Sequence, residues 1–453
     1  MSRKDNSVPP QSVILPGRRP RWVVLHDAAR DHYELPTAFA EVDLLERFVT
    51  DWYTPLDKPL WQRFANTRLG KSFVGISKRY RPELPSRLTA DNKLQFAAGL
   101  LRHKLLGKFL LDEVVGGKTG ERAASIANQK GAHLLAASYC AATAFEQLRP
   151  DLKRVLFQVH PHPRFLRSLY SSYIESDPDY AGLRNEPEVL VSEADLVRWE
   201  QESKLADHIL CASAFTRRSL ETSGIAPHKI SVIPYGIDSS RFQPGSPSGD
   251  EPIKALYVGQ KVARKGLRML LRVWQQLQPA NASLVLAGGH IRDESVLHGF
   301  DDVFTETPRI SNRELVRLFQ QADIFVLPSL AEGFGHVYLE ALACGVPIIC
   351  TENTGAADII RHGESGWILP PGDPFALAEC LSWAFSHRRQ LREMREAARA
   401  VAEKYSWSRF RESVREALLP SVSGDPLFSG SPLPSTQVSE ASYETAAATK
   451  EFA

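Results

Sequence analysis

Short apolar runs recur along the chain and are separated by stretches with helical periodicity. They contain few alternating polar residues, which is typical of strands that are covered on both faces. Helices between such strands indicate βαβ units, and therefore parallel sheets with right-handed crossovers. The pattern predicts an α/β protein. The runs fall into two sets, WVVL (22–25), VLFQV (155–159), HILC (208–211) and ISVI (230–233), then KALYVG (254–259), SLVLAG (283–288), DIFVLP (323–328) and PIIC (347–350).

A segment rich in Ser, Pro and Gly separates the two sets of runs, and we predict that these residues, 239–252, form an interdomain linker. A chain of 453 residues is too long for a single hydrophobic core. We therefore expect one domain at 21–238 and a second at 253–404. Long stretches with a helical pattern at 91–112 and 121–148 predict a helical insertion in the first domain.

The two ends of the sequence have a different composition. Residues 1–20 are polar with several prolines, and residues 420–453 are rich in Ser, Thr, Pro and Ala. Such segments bury too little apolar surface to offset the loss of chain entropy, so we predict that both are disordered.

Composition excludes several classes of protein. Lys and Arg number 55 against 53 Asp and Glu, so no overall positive field indicates a nucleic-acid partner. No uncharged apolar run reaches 18 residues, and the start has no apolar core of a secretory signal. The five cysteines show no CxxC spacing, so neither a disulfide framework nor a zinc site is expected. These features favour a cytoplasmic protein from a reducing compartment.

The most informative stretch is PSLAEGFGHVYLEALACGVPIICTENTGAADII, residues 328–360. A strand ends at Pro328, and a helix is predicted from about Gly335 to Cys344. Glycines there let the backbone approach a ligand, and the free N–H groups at the helix start favour a diphosphate. Glu332 lies just before this helix, and Glu340 lies inside it with a side chain that leans back toward its start. Because carboxylates would repel a diphosphate, we expect these two to accept hydrogen bonds from hydroxyls of a sugar and a ribose.

Two further elements lie at predicted strand ends. After the strand that ends at Gly259, Arg264 and Lys265 open an amphipathic helix, where they are placed to neutralise phosphates. His160 ends the strand at 155–159, and His162 follows it. An HxH pair can bind metal, but no third ligand with suitable spacing is nearby, so we expect His160 to face the interdomain cleft and no metal to bind.

Residues 58–108 are locally basic, with aromatic residues between the cations. Two interpretations remain open. The cations form a solvated helical face that is balanced by acids elsewhere in the domain, or they form a surface for an anionic acceptor or an anionic membrane. The second interpretation would place the protein peripherally at the inner face of the membrane.

Residues 203–410 closely resemble the retaining glycosyltransferases of family 4, which have the GT-B fold of two Rossmann-like domains facing across a cleft. The spacing of Glu332 and Glu340 within EGFG…EA is highly specific to that family. The matching segments are ADHILCASAFTRRSLETSGI, ISVIPYGID, YVGQ…RKG, LAGG (286–289), ADIFVLPSLAEGFGHVYLEALACGVPIICT, GESGWILPPGD and YSWSRF.

The resemblance implies roles for single residues. Glu332 holds the hydroxyls of the donor sugar, and Glu340 holds the ribose. Lys265 binds the diphosphate, and His160 approaches the donor sugar near its β-phosphate. The resemblance implies His160, Glu332 and Lys265 as the catalytic residues. The donor-binding set is Gly259, Arg264, Lys265, Glu332, Gly333, Phe334, Gly335, His336 and Glu340.

The resemblance also implies a role for each domain. The first would bind the acceptor, the second would bind the nucleotide sugar, and a helix at 405–419 would cross back onto the first domain.

The chain departs from the family pattern at three places. The family's arginine after the strand-end glycine is Gln260 here, so the diphosphate would be neutralised by Lys265 together with either Arg264 or Lys261. DAARDHYELP (27–36) replaces the family's early Gly-Gly loop. His336 stands where an aliphatic residue is common, and its ring would either cap the helix or touch the donor.

The function implied by the resemblance is metal-independent transfer of a hexosyl group from a nucleoside diphosphate sugar to an acceptor hydroxyl, with retention of configuration and no cofactor. Such enzymes serve polysaccharide or glycoconjugate biosynthesis. Two alternatives remain: a sugar-nucleotide epimerase or phosphorylase on the same fold, and a non-catalytic protein that binds a nucleotide sugar. The donor and the acceptor are not identified by the sequence.

Overall fold

The computed structural model describes residues 20–27, 31–67, 79–91, 111–245, 252–288, 296–307 and 310–419. The predicted tails lie outside these residues, except for Pro20 at their edge. Among the described helices, none is long and apolar enough to cross a lipid bilayer.

Two parallel sheets organise the described part of the chain. The first has the strand order β3-β2-β1-β4-β5-β6-β7, and the second has the order β10-β9-β8-β11-β12-β13. The strands of the first sheet are β1 (Trp22–Leu25), β2 (Leu45–Thr50), β3 (Thr89–Asp91), β4 (His133–Ala137), β5 (Arg154–Gln158), β6 (His208–Cys211) and β7 (Ile230–Val232). Those of the second are β8 (Ile253–Val258), β9 (Ala282–Ala287), β10 (Thr305–Thr307), β11 (Ile324–Val326), β12 (Ile348–Thr351) and β13 (Gly366–Leu369).

Helices connect the strands. Those around the first sheet are α1 (Glu34–Ala40), α2 (Pro59–Ala65), α3 (Leu111–Lys130), α4 (Ala142–Gln147), α5 (Pro163–Ser176), α6 (Pro187–Leu190), α7 (Glu193–Leu205) and α8 (Ala214–Thr222). The remaining helices are α9 (Leu267–Leu277), α10 (Asn312–Gln321), α11 (His336–Ala343), α12 (Pro374–Ser386), α13 (Arg388–Glu403) and α14 (Trp407–Leu418). Short 3-10 turns lie at Ser86–Leu88, Pro178–Asn185, Pro227–Lys229, Ala263–Lys265 and Gly355–Asp358.

Each sheet reverses its strand order once, between β1 and β4 in the first sheet and between β8 and β11 in the second. Ligands of open α/β sheets bind at such points, outside the carboxyl ends of the strands. The predicted α/β class with two Rossmann-like domains is confirmed.

The predicted helix at 121–148 is wrong in its middle. The helix α3 ends at Lys130, and Gly131 follows with φ of +61°, a conformation that glycine adopts without strain. The next residues, HLLAA, form β4, whose side chains from Leu134 onward are buried. The apolar periodicity of this stretch was ambiguous because a short buried strand and a buried helical turn have the same pattern.

The predicted helix at 91–112 is only partly described. Asp91 closes the strand β3, and residues 92–110 lie outside the described residues. In the basic segment 58–108, Arg79 binds Asp51 at 2.8 Å and Arg81 binds buried Glu34 at 2.5 Å. These two cations therefore belong to the folded domain. Residues 68–78 and 92–108 are outside the described part, so a membrane or acceptor surface there stays a prediction.

The chain crosses between the two sheets twice, and the two crossings lie side by side. The N–H of Ile237 donates to the carbonyl of Tyr405 at 2.9 Å. A Cβ on Gly236 would clash with the backbone of Ser406 and Trp407, so glycine is required for this approach. After the second crossing, α14 packs on α1 of the first domain.

Candidate functional site

The loop between β11 and α11 forms the centre of the candidate site. Gly335 precedes α11 with φ of +87°, and a Cβ there would lie 2.6 Å from the ring of Tyr338. The hydroxyl of Tyr338 donates to the carbonyl of Leu327 at 2.7 Å, and the N–H of Glu332 donates to the carbonyl of Asn353 at 2.9 Å. These contacts hold the loop so that Glu332 stands beside the N-terminus of α11.

Glu332 lies in a cluster with two cations. Its Oε2 accepts a hydrogen bond from Nη1 of Arg264 at 3.1 Å and another from Nζ of Lys265. Gly266, with φ of +67°, brings these cations close, because a Cβ there would clash with the carbonyl of Pro328. Burial would raise the pKa of Glu332, but the charges of Lys265 and Arg264 lower it to about 2. Burial lowers the pKa of Lys265 and the Glu332 carboxylate opposes this, so each group holds the other in its charged form.

A third acid reaches this cluster from the first domain. Oε2 of Glu186 lies 3.3 Å from Nε of Arg264, so the guanidinium bridges carboxylates of both domains. Glu188, two residues later, accepts a hydrogen bond from the hydroxyl of Tyr139 at 3.1 Å. Glu186 and Glu188 were not predicted as site residues, because no motif surrounds them and only the tertiary fold brings them to Arg264.

His160 lies at the carboxyl end of β5 and faces the same cluster. Its ring stacks on that of Tyr139, with centroids 5.6 Å apart and planes at 27°. The second domain approaches closely here, because a Cβ on Gly333 would clash with the carbonyl of Val159. The charge of His160 is among the causes that lower the pKa of Glu332. His162, by contrast, precedes α5 as a buried residue whose pKa burial lowers to about 4.

Gly333 also joins the two domains through its carbonyl. The hydroxyl of Ser213, which caps α8, donates to this carbonyl at 2.6 Å, and that of Thr216 donates at 3.2 Å. The N–H of Ala214 donates to Oδ2 of Asp358 in the second domain at 2.6 Å. The N-terminus of α8 therefore packs against the loop between β11 and α11, residues 327–335. A Ser or Thr before a helix is a capping signal, but its partner in another domain cannot be derived from it.

Two predicted donor-site residues pack into an aromatic cluster. The ring of His336 lies 4.3 Å from that of Tyr235 and 5.5 Å from that of Trp407, which belong to the two crossings. Burial lowers the pKa of His336 to about 4, so its ring is neutral at neutral pH. Phe334 is buried, edge to face with Tyr235 at 5.4 Å. The two side chains thus anchor the loop to the interdomain crossings.

Glu340, Gly259 and Lys261 complete the set of predicted residues. Glu340 is partly exposed in the middle of α11, and burial raises its pKa to about 7, with the charge of Arg241 opposing. The carbonyl of Gly259 closely approaches Gly288, where a Cβ would clash with it. Lys261 is only 1% exposed and pairs with Glu306, so it points to β10 rather than to Glu332.

Among the described residues, no group of three or more His, Cys, Asp or Glu side chains is placed to hold a metal ion. Asp179 pairs with Arg268 at 3.0 Å and with Arg272 at 2.6 Å. These ion pairs connect the first domain to α9 of the second.

Two facing Rossmann-like domains, with a carboxylate and two cations beside a helix N-terminus in the cleft, define a protein of the GT-B class. Residues 238–401 match the family model described as Glycosyl transferases group 1, and residues 133–241 match that of Glycosyltransferase Family 4. Together the two models cover more than half of the chain. The chain belongs to the family 4 glycosyltransferases.

Curated relatives match the chain over about half of its length. The sulfoquinovosyl transferase SQD2 of Arabidopsis thaliana is 31% identical over 230 residues, which are 47% of this chain and 44% of that protein. The D-inositol 3-phosphate glycosyltransferase of Nocardia farcinica is 28% identical over 236 residues, 47% of this chain and 52% of that protein. The chain therefore spans about half the length of the curated relatives it matches.

Solved structures share the fold over a longer part of the chain. Sucrose-phosphate synthase from Thermosynechococcus elongatus has a TM-score of 0.62 at 18% identity, covering 88% of this chain and 98% of that chain. WaaG, a glycosyltransferase involved in lipopolysaccharide biosynthesis, has a TM-score of 0.58 at 14% identity, covering 87% and 98%. Anabaena Alr3699/HepE in complex with UDP-glucose has a TM-score of 0.56 at 13% identity, covering 88% and 98%.

Proposed function

We propose that this chain moves a hexosyl group from a nucleoside diphosphate sugar to an acceptor hydroxyl, with retention of configuration and without a metal ion. The observation that carries the proposal is the cluster of Glu332, Lys265 and Arg264 beside the N-terminus of α11. Family membership supports the reaction class, and the names of the relatives support a place in polysaccharide or glycoconjugate biosynthesis.

Donor binding would rearrange this cluster. The diphosphate carries the negative charge that Lys265 now receives from Glu332, and the free amides of α11 add the positive end of the helix dipole. Lys265 would then turn to the diphosphate, and Glu332 would accept hydrogen bonds from the sugar hydroxyls. Glu340 would hold the ribose. Lys261 is committed to Glu306, so we assign the diphosphate to Lys265 with Arg264 beside it.

The chemical step would take place on one face of the sugar. Glu332 is held by two cations, which makes it a weak nucleophile, and we therefore propose direct attack by the acceptor hydroxyl. The bond from the anomeric carbon to the phosphate oxygen breaks as the bond to the acceptor oxygen forms. The acceptor proton passes to the departing phosphate. Lys265 and the amides of α11 would stabilise the charge that develops on that phosphate, while His160 contacts the sugar beside it.

The proposal is tested by screening nucleoside diphosphate hexoses for thermal stabilisation, followed by release of nucleoside diphosphate with candidate acceptors. We expect Glu332→Gln and Lys265→Met to lower turnover by at least about a hundredfold, because each removes charge at the reacting diphosphate or its sugar. Lys261→Met is the matched control. It should lower the melting temperature but leave turnover of the folded protein within about threefold.

Two outcomes would contradict the proposal. Turnover that is insensitive to Glu332→Gln and Lys265→Met would place the reaction elsewhere. Tight donor binding with no turnover on any acceptor would favour a non-catalytic protein that binds a nucleotide sugar.

A further inference from the structure

A segment of the first domain, residues 163–190, reaches over to the second domain, and we name it the clasp. It comprises α5, the 3-10 turn at Pro178–Asn185, and α6. The hydroxyl of Tyr173 donates to the carbonyl of Pro371 at 2.9 Å, and Asp179 pairs with two arginines of α9. Buried apolar side chains of the clasp pack on the second domain. Leu166, Tyr170 and Leu183 form one cluster with Ala263 of a 3-10 turn and with Leu330 and Ala331 of the loop between β11 and α11.

Glu186 gives the clasp a direct contact with the charged cluster. It stands between the 3-10 turn and α6 and is only 3% exposed. Its carboxylate meets Nε of Arg264, while Nη1 of the same guanidinium meets Glu332. A planar guanidinium that is held at two edges has a fixed orientation, unlike a lysine ammonium.

The two cations of the cluster therefore differ in their freedom to move. If Arg264 followed a diphosphate away, Glu186 would lose an ion pair while still buried, which is costly. When Lys265 exchanges Glu332 for the diphosphate, Glu332 keeps its ion pair with Arg264. Arg264 is the fixed member of the pair, and its position depends on Glu186.

We infer that Glu186 is a positioning residue of the donor site, supplied by the other domain. It holds Arg264 against Glu332, so the carboxylate is oriented for the donor sugar only when the clasp is seated on the second domain. This inference rests on the proposed function for the identity of the ligand, while the relay from Glu186 through Arg264 to Glu332 is a property of the protein itself.

The relay is tested first without any substrate, by urea unfolding of the full chain carrying Glu186→Gln, Glu332→Gln or both. We expect a favourable coupling between the two substitutions, and we expect it to vanish or change sign in an Arg264→Gln background. Arg264→Lys, which keeps the charge but cannot bridge both carboxylates, should abolish the coupling in the same way. A coupling that is absent with Arg264 present, or that persists without it, would overturn the inference.

The second test is kinetic. We expect Glu186→Gln to lower kcat about tenfold with a smaller change in the donor KM, because a misplaced Glu332 impairs the reacting geometry. In an Arg264→Lys background the same substitution should have no further effect. The matched control is Asp179→Asn, which removes another interdomain acid of the clasp and should combine multiplicatively with Arg264→Lys.

The outcomes separate a failure of the inference on Glu186 from a failure of the proposed function. If Glu186→Gln and Asp179→Asn have equal effects that both multiply with Arg264→Lys, then Glu186 only joins the domains and the inference fails while the proposed function stands. If the wild type transfers no sugar, the proposed function fails and the unfolding experiment alone decides on the relay.

Discussion

At the scale of the residue, the two acids of α11 and its loop have opposite electrostatic environments. Cations surround Glu332, which lowers its pKa to about 2. For Glu340 the largest effect is burial, which raises its pKa to about 7. The first is ionised throughout the neutral range, whereas the second titrates within it. A ligand that donates hydrogen bonds to Glu340 must therefore compete with a proton.

This difference predicts a pH dependence of nucleotide binding. If Glu340 holds the ribose as proposed, the hydroxyls that donate to it favour its charged form, so binding should release a proton near neutral pH. We expect the affinity for the nucleoside diphosphate to rise between about pH 6 and 8, and calorimetry in buffers of different ionisation enthalpy to detect the proton. In Glu340→Gln the affinity should fall and rise less steeply in this window, since only the ligand's own phosphate still titrates. An unchanged slope in the variant would show that another group titrates.

Glu340 should also affect stability, with a sign that follows from the same shift. Its pKa in the folded state lies above its usual value, so its stabilising contribution is complete at acid pH and is lost as the pH rises through about 7. Between about pH 4.5 and pH 7, the unfolding free energy of the wild type should therefore fall relative to that of Glu340→Gln.

Residue types and spacing were enough to single out three charged side chains that the structure places in one cluster, but not how they pair. EGFG…E and the RKG after a strand led to Glu332, Arg264 and Lys265, which the structure brings together. Glu186 is separated from Arg264 by 78 positions and belongs to no local pattern. Pairing across domains depends on how the domains dock, which no local signal encodes.

At the scale of the element, the loop between β11 and α11 is shaped by the groups that pack on both of its sides. Gly333 lies between Val159, which follows β5, and the hydroxyls of Ser213 and Thr216 at the start of α8. A side chain at this position has no room unless the domains separate. Because Glu332 is adjacent to Gly333 in the sequence, its position depends on the contact that Gly333 makes between the domains.

We expect Gly333→Ala to weaken the domain contact while leaving the second domain folded. Transfer should fall at least about tenfold, because the geometry at His160 and Glu332 is lost, while nucleoside diphosphate affinity stays within about threefold. Steady-state kinetics and calorimetry measure the two effects.

Gly117→Ala in α3 is the matched control, because a Cβ there meets nothing within 4 Å. It should leave transfer unchanged and stabilise the protein by up to about 1 kcal/mol. Equal transfer rates in the two variants would refute the role of Gly333.

Strands that are buried on both faces could be predicted where a short apolar run stands out from the sequence, as it does for β6 and β12. The short edge strands β3 and β10 carry polar residues, and β10 is exposed at Thr305 and Glu306. Neither has a buried run of its own to indicate a strand. Their pairing comes from the neighbouring strand, so it required the sheet to be known.

At the scale of the whole molecule, the first domain is completed by the last described helix. Arg411 of α14 donates to buried Glu34 at 2.5 Å and pairs with Glu41 at 3.0 Å. Arg415 pairs with Glu41 as well, also at 3.0 Å. Val414 and Leu418 on the same helix are fully buried. The helix thus belongs to the first domain by its contacts, although it follows the second in sequence.

Arg411→Met should lower the unfolding free energy by about 3 kcal/mol, because Glu34 stays buried with one of its two arginines removed. Urea unfolding of the full chain measures this loss. Arg409→Met, on an exposed face of the same helix, should change stability by less than about 0.5 kcal/mol. Similar losses in both variants would show that α14 is held by its apolar side chains rather than by the charge of Arg411.

The side-by-side crossings have a consequence for how the protein is made. Synthesis on the ribosome proceeds from the N-terminus, and domains generally fold as they emerge. Here the surface of α1 that receives α14 stays uncovered until the entire second domain has been translated. In a nascent chain that stalls before residue 407, the first domain would therefore lack α14, and Glu34 would lack its ion pair with Arg411. We expect chaperones to bind such an incomplete domain.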